Sequence, residues 1–169
     1  MKLSKILLIS LGFFFLQILM GKFLPSAMPI PNLILCFVIV GAFVEDDPWA
    51  WVLAAGLFGL IRDLFISMNV GLGTGALIAA VASMLLLKKF INSEHMLSSI
   101  VCAIVGSFVY IFTFWLLSKA VMGAYGISDV MKFFVLQVWM HIVLAFGIYY
   151  FLSRNRIIQR RNDRYRYYR

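Results

Sequence analysis

Residues 97–121 carry a single charged side chain, Lys119, in a run that is otherwise apolar or weakly polar. A helix over that run is about 37 Å long at 1.5 Å per residue, enough to cross a hydrocarbon core of about 30 Å. Comparable runs cover residues 4–24, 32–44, 48–66, 70–87 and 130–152, the second of them short. With no water in a bilayer core, such segments must satisfy their own backbone polar groups, which a helix does. The chain of 169 residues is 63% hydrophobic and 13% charged. A soluble domain has about 45–50% apolar and about 25% charged residues, so a water-soluble core of this size cannot hide so much apolar surface. The expected class is an all-α integral membrane protein with six transmembrane helices over residues 1–152 and a basic tail over 153–169.

Charge orients the expected spans. An even number of crossings puts both termini on one side. If that side is the cytoplasm, it holds Lys2, Lys5, Lys88, Lys89 and the tail arginines Arg154, Arg156, Arg160, Arg161, Arg164, Arg166 and Arg169. Only Lys22, Lys119 and Lys132 fall outside, as the positive-inside rule requires. The first run is longer than a signal-peptide core of about 7–15 residues, and Pro25-Ser26-Ala27 is a poor cleavage site, so an uncleaved anchor is expected. Pro48 suits the first turn of a helix, and Trp49 and Trp51 suit an interfacial aromatic belt. The tail suits anionic lipid headgroups. Its interleaved tyrosines and arginines also permit nucleic-acid contact, but no nucleic-acid partner is expected.

One span contains an anomaly. Arg62 and Asp63 sit side by side in GLFGLIRDLFI, where central charges cost about 2.5–3.5 kcal/mol each on insertion scales. Helical spacing places Val52, Gly56, Gly59, Asp63 and Ile66 on one stripe and Leu53, Leu57, Leu60, Ile61 and Leu64 opposite. Small residues allow close helix approach, so Asp63 is expected to face the bundle, with another backbone near the two glycines. Arg62 lies about 100° round the helix from Asp63 and about 6 Å from the helix end, within snorkelling reach of the outer headgroups. Either the pair is a packing and topology device, or it is a polar anchor for a partner or cavity. Gly71, Gly73 and Gly75 open the next span, and Gly75, Ala79, Ala82 and Ser83 share a face that suits packing in the bundle or against another protein.

Catalytic and metal chemistry find no pattern. Residues 71–76 spell a G-x-G-x-x-A sequence, yet the strand and βαβ unit of a dinucleotide fold are missing. His95 beside Glu94 lacks the partners of a metal site. Cys36 and Cys102 are distant packing residues and make no disulfide framework. His141, like Gln17 and Gln137, lies within a span; a hydrogen-bonded packing role is favoured over a proton relay or an Asp63 partner. A proton-coupled transporter would need a second intramembrane acid. No catalytic residue, metal or cofactor is expected.

Pro31-Asn32 opening the second span, Gly56-x-x-Gly59-Leu60-x-x-Asp63-Leu64 in the third, and the glycine-rich entry Gly71 to Gly75 follow one another in an order that resembles the MreD family of rod shape-determining proteins. The architecture matches over nearly the whole chain; the specific residues lie between Pro31 and Gly75. The resemblance implies a non-enzymatic, multi-pass subunit of the bacterial elongasome in the plasma membrane. Its partners would be a bitopic MreC-like protein and, directly or through it, MreB, RodA and the elongation transpeptidase, with self-association open. Cell shape and lateral-wall peptidoglycan synthesis would depend on it. The family often has Asp where this chain has Asn32, which removes a charge. The family is similar in fold to the S components of energy-coupling-factor vitamin transporters, the alternative reading. Those usually dock through AxxxA in the first span, and residues 4–24 contain no alanine.

Overall fold

A computed structural model describes residues 3–23, 30–45, 47–66, 70–91, 96–123 and 126–167, with side chains outside the description at 122, 127, 129, 133 and 155–167. Six helices follow in order: α1 (Leu3–Phe23), α2 (Leu33–Val44), α3 (Pro48–Ile66), α4 (Leu72–Leu87), α5 (Ser98–Met122) and α6 (Ile127–Tyr167). Four contain segments long and apolar enough to cross a membrane: Leu3–Phe23, Pro48–Phe65, Ser98–Val121 and Val130–Arg154. At 12 and 16 residues, α2 and α4 are shorter, about 18 and 24 Å.

The shortness of α2 has a physical reason. Every residue from Leu33 to Val44 is buried, and the helix packs against all five others. A helix apolar on every side is stable only when surrounded. Sheathed in protein, α2 exposes no face to the surroundings of the molecule. Around it the other helices make contact in the order α1, α3, α4, α5, α6, and among the described residues no contact between α1 and α6 closes the ring.

Polarity is arranged inside out. Leu53, Leu57, Leu60 and Leu64 of α3 face outward, as do Leu8, Phe15, Trp139 and Val143 of α1 and α6. Ser10, Gln17, Asn32, Asp63, Ser107 and His141 are buried. An apolar exterior over a polar interior is compatible with a multi-pass membrane protein, whose solvent is hydrocarbon.

One local expectation needs correction. Trp49 is exposed, but Trp51 is fully buried and its ring lies on Gly41 of α2. Two positions along a helix turn the side chain about 200°, so with Trp49 facing outward Trp51 faces the bundle. Beyond residue 152 the backbone of α6 continues as helix to Tyr167. After Gly147 no glycine or proline stands in the way, and Arg, Gln and Ile tolerate a helix. Of the tail arginines, Arg154 is exposed and the side chains of Arg156, Arg160, Arg161, Arg164 and Arg166 lie outside the described residues, as do Glu94 and His95.

Candidate functional site: a remote helix cap and an arginine-lined cavity

Asp63 is fully buried near the C-terminal end of α3, and the backbone that meets it belongs to α4. Its Oδ2 accepts from the Gly71 backbone N–H at 3.0 Å, the Thr74 N–H at 2.9 Å and the Thr74 hydroxyl at 3.0 Å. The first N–H groups of a helix lack intrahelical partners and normally find one in an N-cap side chain. Here the N-cap is Gly71, at φ +101°, which has no side chain to offer. Glycine fits that left-handed backbone, and Asp63 of the preceding helix supplies the missing acceptor. Its negative charge also sits at the positive end of the α4 dipole. Three hydrogen bonds to Oδ2 and that dipole offset part of the penalty for burying the carboxylate, whose Oδ1 has no hydrogen-bond partner among the described residues.

The glycines make the approach close. A Cβ on Gly59 would lie 2.9 Å from Thr74 Cα, and a Cβ on Gly73 would lie 2.2 Å from Asp63 Oδ1. Gly56 faces Ile78 more loosely, at 3.9 Å. The stripe is thus covered by α4 of the same chain and offers no open face at Gly59 and Asp63 to a second protein. Gly75 borders Leu117 of α5, while Ala79 and Ser83 are half-buried and Ala82 is exposed. Gly59→Leu is therefore expected to lower the stability of the purified protein by about 2 kcal/mol or more, since the clash is with backbone. Unfolding in mixed micelles checks this; unchanged stability would place α4 elsewhere.

Arg62 does not reach outward to headgroups. Its Nη1 donates to the Tyr110 hydroxyl of α5, and its guanidinium carbon lies 5.7 Å from that ring's centroid. The two side chains border a cavity of about 300 Å³ with Gln17, Ile18 and Gly21 of α1, Ile30, Asn32 of the α2 cap, and Gln137 of α6.

At the N-terminal end of α2, the helix at the centre of the bundle and its hub, Asn32 caps the first turn by accepting from the Leu35 N–H at 3.1 Å, a task a neutral amide performs as well as a carboxylate. Its own N–H donates to His141 Nε2 at 3.1 Å. That nitrogen must therefore be unprotonated, so Nδ1 carries the hydrogen and donates to Ser107 Oγ at 2.7 Å. His141 is a packing residue joining α2, α5 and α6, not a partner of Asp63.

No family model, no curated protein and no solved structure matches the chain. The geometry alone sorts the residues. Gly59, Gly71 and Asp63 meet at the α3–α4 junction; Arg62 turns away from them into the cavity. Thr74, Tyr110 and Ser107 complete these contacts and were not singled out by sequence. Thr74 was within reach: a glycine N-cap with no side chain implies an acceptor from elsewhere. Among the described residues, no group of three His, Cys, Asp or Glu side chains is placed to hold a metal. Cys36 and Cys102 are free and buried.

Proposed function

We propose that the chain is an MreD-like, non-enzymatic membrane subunit of the bacterial cell-elongation machinery. It lies in the plasma membrane with both termini cytoplasmic and six crossings, of which α2 and α4 are the shorter ones. It holds the membrane helix of a bitopic MreC-like partner and thereby helps organise lateral-wall peptidoglycan synthesis. The observation that carries this reading is the commitment of Asp63. A carboxylate whose Oδ2 already takes three donors of α4 serves the fold, which supports a scaffold over an acid-base catalyst or proton carrier. His141 supports it likewise, with both ring nitrogens engaged inside the protein.

With Gly59 covered by α4 and Gly75 bordered by Leu117, the docking surface moves to the half-open small-residue face of α4 at Ala79, Ala82 and Ser83, where a partner helix approaches closely. The basic extension of α6 adds contact with anionic lipid or MreB.

Depletion of the protein in its native cell should produce rounded cells, and the intact protein should co-purify a bitopic coiled-coil companion. Ala82→Leu should reduce that companion's recovery several-fold while leaving membrane insertion intact. Rod-shaped growth after depletion would overturn the reading. Thermal stabilisation of the purified protein by a vitamin would replace it with the S-component alternative.

A further inference from the structure

The cavity beside Arg62 has the wrong inventory for a packing defect. Empty cavities in proteins are apolar, and buried polar groups almost always have partners. Three polar atoms on residues lining this cavity have none: Gln17 Oε1, Asn32 Nδ2 and Arg62 Nε. Gln17 and Asn32 are only 8% and 4% exposed, so bulk solvent does not serve them. Two of the three atoms are donors, one on a guanidinium. Among the described residues no carboxylate pairs with Arg62, whose one hydrogen-bond partner is the Tyr110 hydroxyl. The N-terminal end of α2 adds its positive dipole at Asn32. At about 300 Å³ the space lies at the lower end of small-molecule sites.

Access is lateral. Gln17, Ile18 and Gly21 come from α1 and Gln137 from α6, between which no contact is made among the described residues, so the cavity lies where the ring is open. In a bilayer that break faces acyl chains.

We infer that the Arg62 cavity binds the phosphate-bearing head of an anionic lipid, whose acyl chains leave through the seam between α1 and α6. Arginine recognises phosphate through charge-assisted, often paired hydrogen bonds, and the Asn32 amide supplies a further donor. This goes beyond the scaffold role and rests only on the part of that reading that places the chain in a membrane.

Native mass spectrometry of the full-length protein in neutral detergent tests it, with phosphatidylglycerol, phosphatidylcholine and inorganic phosphate as separate probes. Lipid binding is also followed at high salt by thermal stabilisation, where attraction to the exposed basic extension is screened. One phosphatidylglycerol should be retained at least tenfold more tightly than phosphatidylcholine. Arg62→Gln should remove that preference, and Gln17→Phe, whose larger ring takes up cavity space beside an intact arginine, should weaken retention at least tenfold. Equal retention by both variants, or loss of the preference at high salt, would overturn the site. Stabilisation by inorganic phosphate equal to that by lipid would overturn the lipid assignment in favour of a free anion.

Discussion

Asp63→Ala is expected to destabilise the folded protein by about 2–4 kcal/mol. Losing an N-cap acceptor costs about 0.5–2 kcal/mol, and each buried donor left without a partner adds about 1–3. The change orphans two backbone N–H groups and one hydroxyl at the start of α4, of which Gly71 retains access to its surroundings. Asp63→Asn keeps an acceptor oxygen while losing the charge, so its loss should be smaller, about 1–2 kcal/mol. Gly73→Ala should resemble Asp63→Ala, because the new methyl would sit 2.2 Å from Oδ1 and must expel the carboxylate. Denaturant unfolding in mixed micelles ranks the three. Asp63→Ala as stable as the parent would mean that α4 does not depend on this acid.

The second large effect is expected at the hub. A Cβ on Gly41 would lie 2.1, 2.2 and 2.5 Å from three ring atoms of Trp51. That ring is fully buried and packs edge-on against Phe37, with centroids 5.2 Å apart. Overpacking costs about 1–3 kcal/mol where neighbours can shift, and more where they cannot. Gly41→Ala should thus lose about 3 kcal/mol and change the tryptophan emission as Trp51 is pushed from its site. Trp51→Leu in the same chain should recover part of the loss, since residues in contact are not additive. A neutral Gly41→Ala would detach Trp51 from α2.

Much of this was legible before any coordinates, for identifiable reasons. Helix length and apolar periodicity are local, so Pro48 does open α3 and the outward Leu53, Leu57, Leu60 and Leu64 separate from the inward Gly59 and Asp63. All-round apolarity of residues 33–44 was open to being read as a hub, and the shortness of that run pointed the same way. Contacts between distant residues were not legible. Nothing local joins Asn32 to His141, 109 positions away, or Arg62 to Tyr110, 48 away. Arg62 illustrates the limit. A long side chain near a helix end has two ways to satisfy its charge, outward to headgroups or inward to a hydroxyl, and only the position of α5 decides between them. Small-residue stripes carry a similar ambiguity, because a neighbour in the same chain and a foreign helix make the same demand on glycine.

The central claim is that the Asp63 carboxylate holds the first turn of α4, and a double-mutant cycle between Asp63→Ala and Thr74→Val addresses it most directly. The two side chains share a hydrogen bond at 3.0 Å, so each single change should remove it and the pair should lose less than the sum, with a coupling of about 1 kcal/mol or more. Energies that add to within about 0.3–0.5 kcal/mol would mean the two groups do not meet. The buried acid would then need another partner, and the account of this bundle would fail at its first step.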